Sequence, residues 1–126
     1  VDGGASIRPP DYKFTNAYFS VTSDLGELLH EEKIGDVYSG VAEYEAIKWA
    51  VLNIKDRPLK IYSDCITAMA WVRKGAKTAK HKLPALNLKG VVVEYKKDNL
   101  AGKYNEIKHP KYNKGYYIKR YYGTLY

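Results

Sequence analysis

Leu59-Lys60-Ile61-Tyr62-Ser63-Asp64-Cys65 decides how this chain is read. Leu59 and Ile61 alternate with polar neighbours, the period of a strand that buries one face. Directly behind it, Ile66, Met69, Ala70 and Arg73 recur at spacings of three and four, the period of a helix. Asp64 therefore closes a strand and precedes a helix. In open α/β sheets ligand chemistry gathers at the carboxyl ends of strands. Asp64 is a candidate site residue, and the question is which other acids can meet it.

Upstream, the segment from Val41 to Asn53 predicts a helix. Glu43, Ile47, Ala50 and Val51 share one of its faces, and Glu45, Lys48, Trp49 and Leu52 another. Glu43 thus lies on or beside an apolar stripe. Its plain alternative is an acid near the helix start, favoured by the helix dipole. Before that helix, Ala17 to Thr22 and Glu27 to Ile34 are β-forming runs joined by Ser23-Asp24-Leu25-Gly26, which predicts a hairpin. Val1-Asp2-Gly3-Gly4-Ala5 reads as the end of a strand breaking into a loop that continues through Arg8-Pro9-Pro10-Asp11. The glycine pair is either a turn or a place where backbone approaches a ligand closely.

Downstream, the helix after Asp64 ends near Gly75. Lys74, Lys77, Lys80, His81 and Lys82 make a basic connector closed by Pro84, either a solvated loop or a surface for an anion. A helix is expected over Ala85 to Lys97, a break at Asn99-Leu100-Ala101-Gly102, a last strand over Tyr104 to Lys108, and a basic, tyrosine-rich tail from Lys111 to Tyr126. The order predicts one α/β domain over residues 1–126. Its mixed sheet combines antiparallel hairpin strands with a Leu59 strand parallel to the first by a right-handed crossover, covered by helices.

Composition agrees with a single core. The chain has 126 residues, 45% of them apolar, enough to fold without a metal or disulfide staple. Lys and Arg number 21 against 14 Asp and Glu, a formal net charge of +7 that favours an anionic partner such as nucleic acid. Cys65 is the only cysteine, which excludes an internal disulfide and suits the cytoplasm or another reducing compartment. No apolar run is long enough to span a bilayer, so no membrane partner is expected. Thirteen tyrosines against two phenylalanines suit wet surfaces, where a ring can pack and still present a hydroxyl.

Three acids can converge: Asp2 on the first strand, Glu43 on the crossover helix and Asp64 at the strand end. Clustered carboxylates repel and raise one another's pKa values, so such a cluster calls for a cation. Hard oxygen ligands that leave room for water and phosphate suit Mg²⁺ or Mn²⁺. Two such ions can support phosphodiester cleavage.

At these residues the chain resembles type 1 ribonuclease H. The resemblance rests on Asp2-Gly3-Gly4, then Val41-Ala42-Glu43-Tyr44-Glu45-Ala46, then Ile61-Tyr62-Ser63-Asp64-Cys65, in this order and at these spacings. It covers Val1 to about Gly75 well and the remainder loosely. It implies a ribonuclease H-like five-stranded mixed sheet, three antiparallel strands followed by parallel ones, flanked by helices. It also implies an endonuclease that cuts the RNA strand of RNA–DNA hybrids with two Mg²⁺ ions, Mn²⁺ substituting. Asp2 matches the acid that bridges both ions. Glu43 and Asp64 match acids on the ion near the leaving group. Gly3 and Gly4 match the loop that approaches the RNA strand, where reading of 2′-hydroxyls separates RNA from DNA. The connector lysines Lys74, Lys77, Lys80 and Lys82 fall near a substrate-binding basic protrusion of some members. His109 matches loosely a loop histidine that assists turnover, its plain alternative being a cap on the last strand.

Two departures stand out. Ser39-Gly40 replaces the Asn-Asn that grips the hybrid in the family, leaving backbone contacts to do so. The family also carries a fourth acid, near the start of its last helix, whereas here no Asp or Glu follows Glu106. With Tyr104 to Lys108 as the last strand, that position falls in the tail at Tyr117, Arg120 or Tyr121. The expectations are then an enzyme that needs more metal, substitution by His109, Glu106 or Asp98, or a binding module of the same fold without useful catalysis. A nuclease of this superfold acting on DNA is a further reading, because one fold carries several chemistries.

Overall fold

The computed structural model describes residues 1–8, 12–78 and 80–108. Three strands open the chain: β1 (Asp2–Arg8), β2 (Lys13–Thr22) and β3 (Leu28–Gly35). They form an antiparallel sheet in the order β1-β2-β3. The β2–β3 turn closes where the Ser23 N–H donates to Glu27 O at 2.8 Å and the Gly26 N–H donates to Ser23 O at 3.0 Å, with Gly26 at φ 83°. Helix α1 (Ser39–Asn53) follows, then β4 (Leu59–Ser63), α2 (Ile66–Lys74), and a two-rung hairpin of β5 (Ala76–Lys77) and β6 (Lys82–Leu83). Strand β7 (Val91–Tyr95) pairs in parallel with β4, and α3 (Leu100–Lys108) is the last described element. The architecture is α/β, with antiparallel and parallel strands and three helices. None of the described helices is long and apolar enough to cross a membrane.

The core lies between the sheet and helices α1 and α2. Phe19, Val21, Tyr44, Ile47, Ile61, Val72 and Val93 are buried in one cluster. Each large apolar side chain so buried contributes about 1.5–3 kcal/mol. The face of α1 that carries Glu43, Ile47, Ala50 and Val51 is indeed the buried one. Tyr44 shows why tyrosine is tolerated inside: its hydroxyl donates to Pro84 O at 2.6 Å, tying the chain after β6 to α1. Adjacent residues of a strand point to opposite faces. Gly3 therefore meets α1, whereas Asp2, paired with Ser20, faces α3 on the other side.

Gly3 is where β1 and α1 come closest. A Cβ there would sit 2.8 Å from Ala42 C and 2.9 Å from Glu43 N, both backbone atoms that cannot swing aside. Gly3→Ala is expected to destabilise the fold by about 1–3 kcal/mol, the cost of overpacking a well-fitted contact. Urea unfolding checks this, and an unchanged midpoint would show that the strand and helix separate freely.

Three expectations need correction. The Gly3-Gly4 pair does not end the first strand. β1 runs on to Arg8, and a register shift between Gly4 and Ser6 absorbs the irregularity as a bulge. The helix expected over Ala85 to Lys97 is instead an irregular stretch and β7. Val91, Val92 and Val93 are β-branched, which crowds a helical turn and suits a pleated one, and Gly90 enters the strand at φ 74°. Asn99 starts a helix rather than breaking one, and Tyr104 to Lys108 belong to that helix, α3. The antiparallel sheet and the β4–β7 pair are separate ladders among the described residues. They meet at Val1, whose nitrogen donates to Tyr62 O at 2.9 Å.

Candidate metal centre

Three elements deliver the three acids. Asp2 opens β1, Glu43 lies one turn into α1, and Asp64 leaves the end of β4. One carboxylate oxygen from each lies within 4.8 Å of the other two. Asp2 and Glu43 are only 6% and 5% exposed, and Asp64 is half-buried, so the cluster opens to solvent on the Asp64 side. Glu43 Oε1 accepts a hydrogen bond from the Gly3 N–H, which couples the close β1–α1 contact to the orientation of this carboxylate.

The turn that presents Asp64 is held by its neighbours. The buried Ser63 Oγ accepts from the Cys65 N–H at 3.1 Å, and Ser63 O accepts from the Lys96 N–H at 2.8 Å. Cys65 caps α2, its Sγ accepting from the Ala68 N–H at 3.4 Å. Burial pushes the Cys65 thiol up to about 11, so it stays protonated near neutral pH and offers no soft thiolate ligand. The donor set is all oxygen.

Glu43 carries the electrostatic strain of the cluster. Burial, then the charges of Asp2 and Asp64, hold its carboxyl well above the usual range, and a hydrogen bond to Asp64 adds to this. Without a cation, Glu43 thus favours its protonated form. A hard divalent ion would displace the proton and satisfy the oxygens, since metal binding to carboxylates releases protons. Three carboxylate oxygens within 4.8 Å of one another are a group that could hold a hard divalent ion such as Mg²⁺ or Mn²⁺.

Helix α3 brings two residues that the sequence reading passed over. Asn105 is 3% exposed. Its Nδ2 donates to Asp2 Oδ2 at 2.9 Å, and its Oδ1 accepts from Ser20 Oγ at 2.9 Å. A Cβ on Gly102 would lie 3.8 Å from Asp2 Cγ. Asn99 Oδ1 accepts from the Gly102 N–H at 2.8 Å, the side-chain bond of an N-capping residue. Asn99 read as a helix start, with Ala101 and Asn105 four apart on one face, was the available signal.

The remaining expected residues fall as follows. Gly4 is buried within β1 opposite Tyr18. Ser39 and Gly40 are both buried in the first turn of α1. Ser39 Oγ has no hydrogen-bond partner, so this side chain is not presented to a ligand at the surface. Lys74, Lys77, Lys80 and Lys82 are exposed. Lys80 Nζ sits 5.6 Å from the Tyr38 ring centroid, and His81 meets Tyr38 edge-on at 4.9 Å and Trp71 at 5.0 Å. Burial, then the Lys80 charge, lowers the His81 pKa, so its ring is neutral near pH 7. Tyr38 precedes Glu43 by five residues, about 7 Å along the helix axis, so the basic and aromatic connector flanks the end of α1 that carries an acid. Asp98 and Glu106 are exposed and do not join the acid cluster. His109, Tyr117, Arg120 and Tyr121 lie outside the described residues.

No family model, no curated protein and no solved structure matches the chain.

Proposed function

We propose that the chain is a metal-dependent endonuclease of the ribonuclease H type, hydrolysing the RNA strand of RNA–DNA hybrids. The observation that carries the reading is the meeting of Asp2, Glu43 and Asp64, from three separate elements, with oxygens within 4.8 Å. We extend this to the sheet: the Val1–Tyr62 bond supports an order β3-β2-β1-β4-β7, the five-stranded arrangement that the resemblance implies.

In this reading Asp2, Glu43 and Asp64 hold Mg²⁺, or Mn²⁺ in its place, up to two ions. When bound, such ions would supply an activated water and neutralise charge on the leaving oxygen. The chain's own part is positional. Gly3 lets β1 lie against α1 and orients Glu43 through its N–H. Asn105 holds Asp2, and the Ser63 and Cys65 bonds fix the turn that carries Asp64. The exposed lysines beside Tyr38 supply phosphate contacts. The last described helix turns Gly102 and Asn105, not an acid, toward Asp2, so the fourth carboxylate of the family has no counterpart there. This favours a second reading, a hybrid-binding module with weak cleavage, because fewer charged ligands mean lower divalent affinity.

One experiment separates the readings. A labelled RNA–DNA hybrid is incubated with the folded protein in Mg²⁺ or Mn²⁺, beside single-stranded RNA and duplex DNA. RNA-strand products that vanish with chelator and return with metal are expected. No product in either metal ends the nuclease reading. Hybrid binding that weakens steeply with salt but yields no cleavage supports the binding module. Cleavage of duplex DNA, indifferent to ribose 2′-hydroxyls, points to a DNA nuclease.

A further inference from the structure

From the α3 side of the sheet, the amide of Asn105 donates to the Asp2 carboxylate. The amide nitrogen faces Asp2 and donates to it, and the amide oxygen faces Ser20 and accepts from it. Nδ2 lies 2.9 Å from Asp2 Oδ2 and 3.4 Å from Asp2 O, while Oδ1 receives the Ser20 hydroxyl at 2.9 Å. Ser20 is 0% exposed and Asn105 3%, so no water competes for these bonds. The three residues come from β1, β2 and α3, with Asp2 and Ser20 directly paired across the ladder.

We propose that Asn105 is a positioning residue. Oriented by Ser20, it fixes the plane of the Asp2 carboxylate, so that Asp2 is aimed at Glu43 and Asp64 before a divalent ion arrives. The proposal rests on the metal-site reading above. Its physical logic is that of outer partners of metal ligands, which hold a ligand's orientation and whose loss costs about ten- to a hundredfold in metal affinity or activity. Here a neutral donor attracts Asp2 at the side where a further carboxylate would repel it. A site of three acids is thereby kept ordered without a fourth charge.

The test is Mn²⁺ binding by titration calorimetry, which needs no turnover. Wild type is compared with Asn105→Leu, which keeps the volume and removes the donor, and with Ser20→Ala, which leaves the amide in place and removes its orienting bond. Circular dichroism of each variant reports folding. Asn105→Leu is expected to raise the Mn²⁺ dissociation constant about ten- to a hundredfold. Ser20→Ala is expected to raise it about two- to tenfold, the loss of one neutral hydrogen bond. In hybrid cleavage both variants lower kcat and leave KM for the hybrid unchanged, a split that a mere packing role would not produce. A folded Asn105→Leu with wild-type Mn²⁺ affinity overturns the proposal while leaving the nuclease reading standing. Should that variant fail to fold, Ser20→Ala decides alone, and unchanged affinity there overturns it. If wild type itself takes up no Mn²⁺, both the metal-site reading and this proposal fall together.

Discussion

Asp64→Asn is expected to reduce hybrid cleavage by about a thousandfold or more, since a ligand to a charge-stabilising cation is lost. The same change should leave the fold intact. Asp64 is the half-buried member of the cluster, at the end of β4, and its neighbours Ser63 and Cys65 keep their own bonds. The metal-free protein should even gain stability, and the sign follows from Glu43. Its folded-state carboxyl is held well above the usual carboxylate range, first by burial and then by Asp2 and Asp64. A folded state that holds a proton more tightly than the unfolded chain is most stable below the ordinary carboxylate range. It loses that stability as pH rises from there through the raised pKa. Removing the Asp64 charge removes one cause of the elevation and reduces the loss. Thermal melts from pH 4 to pH 8 without metal should fall with pH in wild type and fall less in Asp64→Asn. Added Mg²⁺ should offset the fall in wild type alone. Cleavage by Asp64→Asn at the wild-type rate would show that Asp64 does not ligate an ion.

Gly102→Asp is expected to act in the opposite direction. Gly102 lies in the first turn of α3, where a negative charge is favoured by the helix dipole. Its Cβ would meet Asn99 Oδ1 at 3.4 Å and Asp2 Cγ at 3.8 Å, ordinary contact distances, so a side chain fits. A carboxylate there would add a fourth oxygen ligand beside Asp2. Mn²⁺ affinity should tighten by about tenfold or more, since ligand charge count tunes divalent affinity over decades. Hybrid cleavage should rise with it. Without metal the added charge repels Asp2, so the melting temperature should drop and the increment on adding Mn²⁺ should grow. Calorimetry and paired melts with and without Mn²⁺ measure both effects. Unchanged Mn²⁺ affinity would show that the α3 side of Asp2 does not face the ion.

Much of the site was legible in local pattern. Alternation at Leu59 and Ile61 placed β4, and the three-and-four spacing around Glu43 and Ile47 placed the buried face of α1. Where periodicity was strong and turn residues bounded it, as at Ser23 to Gly26, the elements stand where expected. The misses fall where two local rules compete. Ala85 to Lys97 held enough apolar residues for a helix, but three consecutive valines prefer a strand once β4 supplies a partner for their backbone. Asn99 and Gly102 look like breakers in isolation, yet Asn99 satisfies a free N–H at a helix start. With Tyr104 to Lys108 in α3 rather than a strand, the start of the last described helix lies at Leu100, upstream of the tail.

The sequence by itself determined the three acids, their order and the element types that carry Asp2, Glu43 and Asp64, because those follow from residue type and spacing along the chain. Only the tertiary structure decided that Glu43 is buried against Gly3, that Asn105, itself bonded by Ser20, donates to Asp2, and that Gly102 lies beside Asp2 with room for a Cβ. The bond from Asn105 to Asp2 spans 103 residues. No local propensity encodes such a contact, which exists only when α3 packs on the face of β1 and β2 opposite α1.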